Sequence, residues 1–436
     1  MSKFQSILIA IFVIFTIIGV ALFATYKGVS QKTELPTITV WGTFPSRLFN
    51  DYTNRINSTR SVQVKIDYTE ISESNFDKVF IEALARGQGP DAILVSQDLV
   101  SRYVDKITII PSTALPERDF KNQYIPQAEL YLVSGGSIAL PFVIDPIVMY
   151  WNRDSFINAG IPTYPKYWDE FTNLNNKLTI KDVNSNVRKS AIAMGEFTNI
   201  IHAREILGTL FLQAGNPITY KTNFNTGNPI TLASSLGTRG FDGTKTSKPA
   251  LDFFTQFSNP TDPNYSWNRS IANSKSSFLS GNLATYFGFA SEISDLRNRN
   301  PNLNFDVAPI PQARGTQNKA TYGSMYGFSI VRSSKDPASA YSVLSSLLSK
   351  DALIEMVNLS YLPPVSIDII VSGTTDPYLS IFYDSAVISK GWLDTNKIES
   401  TKLLKDIVES VTSGKKNSMQ ALRDGSDEYD IILNNI

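Results

Sequence analysis

One unbroken apolar run opens this chain, and two alternating rhythms of apolar and polar residues fill the rest. Ile7 to Ala24 reads ILIAIFVIFTIIGVALFA, eighteen residues. At about 1.5 Å each they would reach ~27 Å as a helix, close to the ~30 Å of a bilayer core. A secretory signal has a shorter apolar core, of about 7–15 residues, followed by a small-x-small site. Leu22-Phe23-Ala24 fits that site poorly. The pattern therefore predicts a short segment 1–6, an uncleaved single-pass anchor over 7–26 and a polar linker 27–35, with a cleaved signal as the alternative.

Beyond the linker the alternation has period two over 37–41 (Thr-Ile-Thr-Val-Trp) and over 62–68, and 90–95 is a short apolar run; these predict strands. Between them, 49–58 and 75–86 carry apolar residues at helical spacing, the second stopping at Gly87. This β-α-β-α-β order implies a parallel, right-handed α/β unit, whose ligands bind beyond the carboxyl ends of the strands. The loops after Trp41 and Val95 are thus candidate site loops. Pro141 and Pro146 bracket Asp145 in an apolar run and favour stiff, extended geometry. Further on, 155–159, 165–171, 202–214, 248–257, 267–279, 337–348, 401–411 and 418–433 read as helices. The ranges 191–194, 283–287, 304–311 and 326–331 read as strands. Asn304 to Pro311 and Leu362-Pro-Pro-Val365 look like further extended crossings.

Composition narrows the chemistry. The 436 residues exceed the roughly 250–300 that one core accommodates, so two or more domains are expected. Forty basic and forty acidic residues, with no basic patch, argue against nucleic acid. With no cysteine and one histidine, disulfides, thiolate metal sites and His-dependent nucleophilic sets are disfavoured, and no phosphate-binding glycine loop occurs. His202, in a helical pattern without nearby ligand partners, reads as structural. No cofactor or metal is expected. Trp41, Trp267 and Trp392 fall at element edges, and Phe44, Tyr286, Phe289, Tyr322 and Tyr326 fall near candidate site loops. Aromatic faces suit the apolar C–H faces of sugar rings, while acids and amides bind hydroxyls. Core packing is the competing reading for each of these rings, and the clearer one for Trp168.

Several segments, in order, resemble the family 1 extracellular solute-binding proteins of ABC importers, the maltose-binding-like group. They are Ile38-Thr-Val-Trp41, Gly89-Pro-Asp-Ala-Ile-Leu94, Pro141 to Phe156 with Ala-Gly-Ile at 159–161, and Pro-x-x-Trp-Asp-Glu-Phe ending at 171. Phe278-Leu-Ser-Gly-Asn-Leu-Ala284, Gly323 to Val331 and Leu362-Pro-Pro364 continue the series. The resemblance covers roughly residues 36–436. It implies an α/β, two-lobed periplasmic-binding-protein-like fold with three interdomain crossovers, here preceded by one N-terminal transmembrane helix. Lobe one would comprise 36–143 plus 312–358, and lobe two 146–308 plus 364–436.

Carried over position by position, the resemblance puts ligand contacts at Thr43, Phe44, Ser46, Ser96, Asp98, Asp145, Phe289 and Trp392. Tyr286 and Tyr326 join them as aromatics beside site loops. Asp98 and Asp145 would bind hydroxyls, and Trp392 would be the stacking platform. Three departures stand out: Phe289 replaces a tryptophan common in sugar-binding members, Pro45 and Ser46 stand where an acid and a lysine are expected, and the lipoprotein cysteine is absent. The expectation is a non-enzymatic, monomeric, membrane-tethered protein with its body outside the cytoplasm, capturing a sugar for ABC permease subunits. A ligand-sensing or adhesive surface module and, less favoured, a surface glycosidase are the alternatives.

Overall fold

The computed structural model describes residues 37–59, 64–222, 230–237 and 247–434. The expected anchor at 7–26 and linker at 27–35 lie outside them. Among the described residues no helix is long and apolar enough to cross a membrane.

The first half supplies strands β1 (Ile38–Gly42), β2 (Ile66–Glu70) and β3 (Ala92–Ser96), then the short β4 (Ile110–Pro111), β5 (Leu132–Val133) and β6 (Gly136–Ser137). Next comes β7 (Leu140–Asn152), followed by β8 (Ile180–Lys181), β9 (Val187–Ile192), β10 (Thr219–Lys221), β11 (Leu232–Ser234), β12 (Leu283–Phe289), β13 (Phe305–Ala308), β14 (Thr321–Ile330) and β15 (Ser389–Lys390). One sheet runs in the order β2-β1-β3-β14-β7-β12-β9-β8, with β13 beside β7 and β15 beside β14. The expected parallel unit is present: β1 lies parallel to both β2 and β3.

β7 joins the two halves. All thirteen of its residues are buried, which is why the sequence reads as an apolar run rather than an alternation. At about 3.3 Å per residue it spans roughly 43 Å. Its first part pairs with β14 and its second with β12 and β13. Pro141 and Pro146, which lack a backbone donor, stand opposite Gly327 and Gly323 of β14, and a register shift falls between Tyr326 and Gly327. Gly323 has no room for a side chain: a Cβ there would lie 2.6 Å from Ile144 Cδ1.

The other edge of β7 receives the third passage. Ile144 N–H donates to Pro363 O (2.9 Å) and Val365 N–H to Phe142 O (3.3 Å). The second passage differs from expectation. Residues 305–308 form a strand, but 312–320, assigned on the sequence to lobe one, bond to the second half. Gln312 N–H donates to Lys166 O (3.0 Å), and Gln213 Nε2 donates to Ala320 O (2.8 Å). The chain passes between halves in β14, where Thr321 and Tyr322 pair with β15 and Tyr326 to Ile330 pair with β3.

Two apolar clusters back the sheet. The smaller joins Phe44, Phe49 and Tyr52 to Leu344, Leu347 and Met356 on helices Pro337–Leu347 and Lys350–Ser360. The larger covers the other face of the first half and continues through the second.

Candidate site between the two halves

The strand ends of the first half face the second half across a seam. The helix Gln97–Arg102 begins at the end of β3 and brings Asp98 to this seam, 2% exposed. Opposite stands Arg204, also 2% exposed, on the helix Ala203–Gln213. Its Nη2 lies 2.8 Å from Asp394 Oδ2 and 3.8 Å from Asp98 Oδ1, and its Nη1 lies 3.5 Å from Glu205 Oε1. Lys397 Nζ adds a second cation, 3.9 Å from Asp98 Oδ2 and 2.9 Å from Glu73 Oε1 of the first half. Ser101 Oγ donates to Asp394 O (2.7 Å) and Arg102 Nη1 to Thr395 O (2.9 Å), so the halves are pinned together here.

Three buried acids, Asp98, Asp394 and Glu205, thus share Arg204 and Lys397. The cations profit: Arg204 and Lys397 are held above their usual range by these carboxylates despite burial. Asp98 does not. Burial pushes its carboxyl up to about 6, against the pull of Arg204 and Lys397. The cause is geometric: neither Asp98 oxygen accepts a hydrogen bond, and Ser96 Oγ and Arg204 Nε beside them are likewise buried without a partner. Unmatched buried polar atoms are costly.

Asp145 sits on β7 opposite Ser324 of β14 and accepts from Ser291 N–H (3.1 Å). Burial raises its carboxyl to about 7, the Ser291 bond opposing this. Beside it the second half presents Phe289, whose ring meets His202 at 4.7 Å and Tyr322 at 6.3 Å. His202 has φ +63° and contacts Glu292 Oε1 at 2.6 Å. Burial works against Glu292's charge, yet His202 and Lys275 hold its carboxyl down at about 2. A left-handed backbone at a non-glycine residue costs energy.

The ten expected contacts separate into three groups. Ser96 and Asp98 stand at the end of β3 and the start of the helix after it, and Asp145 and Phe289 stand on β7 and at the end of β12. On the first half, Phe44 packs edge-to-face on Tyr326 at 4.8 Å, with Thr43 partly exposed in the same loop, and Ser46, partly exposed, opens the helix Ser46–Thr59 with its N–H bonded to Glu70 Oε2 (2.7 Å).

Tyr286 and Trp392 are placed differently from expectation. Tyr286 faces inward, 1% exposed, stacked on Tyr150 and Phe278 with its hydroxyl 2.9 Å from Glu292 Oε2. It is a core residue because β12 is buried on both faces from Leu283 to Gly288. Trp392 is also 1% exposed. Arg204 covers its ring at 4.5 Å, Tyr322 lies 5.0 Å away, and its Nε1 donates to Tyr429 Oη (3.2 Å). It is no open stacking platform; it is the surface on which Arg204 rests.

Arg204, Glu205, Asp394, Lys397 and Glu292 escaped the sequence reading. One signal was available: the helix Ala203–Gln213 is buried at every position yet carries Arg204-Glu205 in its first turn. Charges on an otherwise apolar helix need partners.

A separate cavity of about 960 Å³ opens on the seam between residues 126–130 of the first half and 215–221 and 387–391 of the second, and none of the ten expected contacts lines it.

The fold has solved counterparts. A cyclo/maltodextrin-binding protein complexed with maltotetraose superposes with TM-score 0.69 at 15% identity, over 92% of this chain and 98% of that one. A Thermus thermophilus maltotriose-binding protein gives 0.64 at 16% identity, over 90% and 99%. A solute-binding protein of an ABC transporter from Thermotoga lettingae, bound with α-D-tagatose, gives 0.65 at 17%, over 91% and 100%. At such identities the likeness establishes the fold. No curated protein matches the sequence at a significant level. The sequence pattern of the bacterial extracellular solute-binding proteins, however, matches residues 59–354, more than half of the chain, and the protein belongs to that family.

Proposed function

We propose that this protein captures a carbohydrate between its two halves and delivers it to an ABC permease, tethered outside the cytoplasm by the apolar run at 7–24 and performing no covalent chemistry. The observation that carries the reading is the set of buried, unpartnered atoms on the seam: both Asp98 oxygens, Ser96 Oγ and Arg204 Nε. A carboxylate only accepts, a guanidinium only donates, and a hydroxyl does both. A vicinal diol is a neutral group that satisfies all three. Phe289, Tyr326 and Phe44 would supply the apolar walls of such a site. The related solved proteins, crystallised with maltotetraose, maltotriose and α-D-tagatose, support a sugar as the solute class.

The contact set proposed is Thr43, Phe44, Ser46, Ser96, Asp98, Asp145, Phe289 and Tyr326, with Trp392 behind Arg204. Halves joined by three extended passages can close on a ligand by hinge motion, and the permease would read the closed state. The test is calorimetric titration of the full chain with neutral oligosaccharides, alongside Asp145→Ala. Loss of one hydrogen-bonding carboxylate should weaken binding by about 1–3 kcal/mol. An affinity indifferent to both Asp145→Ala and Asp98→Asn would remove the ligand from this seam.

A further inference from the structure

Residues 394–397 of the second half lead into and open the helix Lys397–Thr412, and three of the four are bonded to the first half. Ser101 Oγ donates to Asp394 O (2.7 Å) and Arg102 Nη1 to Thr395 O (2.9 Å). Lys397 Nζ lies 2.9 Å from Glu73 Oε1 and 3.9 Å from Asp98 Oδ2. Arg102 is itself aimed by a two-pronged pairing with Asp77 (2.7 and 3.0 Å). The segment is also preset on its own side. Asn396 N–H donates to Asp394 Oδ1 (3.0 Å), Arg204 Nη2 to Asp394 Oδ2 (2.8 Å) and Thr395 Oγ1 to Ile432 O (3.2 Å). A preset loop loses little freedom when it is gripped.

Lys397 does not suit its own helix. It is the first residue, where the positive end of the helix dipole disfavours a cation. Glu73 and Asp98, in the first turns of the helices Glu73–Ala85 and Gln97–Arg102, suit theirs. Burial opposes the Lys397 charge, as does Arg204, whereas Asp98, Glu73 and Glu205 favour it. Two of those three acids stand across the seam. The Lys397–Glu73 pair is partly exposed and weak alone, so the grip lies in the set of contacts.

We propose that residues 394–397 are a latch: the first half grips them, and the chain holds its own halves together at this seam before any ligand is captured. Glu73, Arg102 and Lys397, none of them in the proposed contact set, then fix the closed population, and with it the affinity for a ligand held between the halves. The inference goes beyond the carbohydrate reading and shares with it only the hinge.

Double electron–electron resonance on the full chain without sugar tests it. The chain has no cysteine, so Lys78→Cys and Lys402→Cys, at exposed positions on the helices Glu73–Ala85 and Lys397–Thr412, give one spin-label pair across the seam. The parent should show one short separation. Lys397→Glu suits the helix start but sets like charges together at Glu73 and Asp98, and should raise the ratio of open to closed protein roughly ten-fold. Adding Glu73→Lys should lower that ratio again by about three-fold, which a merely structural role for Lys397 does not predict. Arg102→Gln, acting on the other contact, should open the seam about five-fold. The proposal is overturned if the parent shows a long separation that only sugar shortens, if neither Lys397→Glu nor Arg102→Gln lengthens it, or if Glu73→Lys does not reverse the effect of Lys397→Glu. Sugar binding is read separately by calorimetry, so a chain that behaves as predicted here yet binds no sugar overturns the carbohydrate reading and leaves the latch standing.

Discussion

Asp98→Asn separates stability from binding at the seam. The Asp98 carboxyl is raised by burial from 3.8 to about 6, even with Arg204 and Lys397 nearby. A carboxyl raised on folding holds its proton more tightly in the native state. Between about pH 4 and pH 6 the native protein therefore binds more protons here than the unfolded chain does, and stability falls as pH rises through that window. Above both values the ionised group costs the fold about 3 kcal/mol. Asparagine keeps the shape and removes the charge. The variant should match the parent near about pH 4 and be more stable by about 1–3 kcal/mol at about pH 8. Urea denaturation at the two pH values measures this as a shift in midpoint at unchanged slope. The same variant should bind oligosaccharide more weakly, the trade expected where a strained group serves a ligand. A variant less stable than the parent at about pH 8 would refute the reasoning, since attraction to Arg204 and Lys397 would then outweigh burial.

Other substitutions test the packing around this centre. Trp392→Ala should destabilise by about 3–5 kcal/mol in urea, because the ring is buried beneath Arg204 rather than displayed to a ligand. Gly208→Ala would bring a Cβ to 2.6 Å from the Trp392 ring and should lower stability by about 1–3 kcal/mol through overpacking. Tyr286→Phe loses only the bond to Glu292, so a cost of about 1 kcal/mol with unchanged ligand affinity is expected from paired melting and titration.

The strand signals in the sequence were local and strong. Ile38 to Gly42 keeps its period-two alternation in the fold, buried at every second position. Pro141 and Pro146 lie in β7, opposite β14, and the carbonyl of Pro363 accepts from Ile144 N–H of the same strand. The second passage was misplaced because Pro309 and Pro311 look like a stiff crossing, whereas the strand that crosses, β14, carries glycines in place of prolines. The helix expected over 267–279 shortens to Ser274–Leu279 for a side-chain reason. Asn268 Oδ1 takes up Ser270 N–H (2.9 Å) and Asn273 Oδ1 takes up Ser276 N–H (2.9 Å), so the first closes a turn and the second starts the helix. Trp392 and Tyr286 show the limit of motif reading, since an aromatic beside a site loop and an aromatic behind it look alike in sequence. His202 was read as structural, but its place beside Phe289 and Glu292 depends on a left-handed backbone that no pattern displays.

The measurement that bears most directly on the account is thermal denaturation of the full chain against neutral oligosaccharides, monosaccharides, amino acids and polyamines. A ligand bound only by the folded state adds about 2.7 kcal/mol at a hundredfold excess over its dissociation constant. The account predicts a rise in melting temperature with one class of neutral sugar, reduced in Asp145→Ala. A rise with amino acids or polyamines and none with any sugar would contradict it.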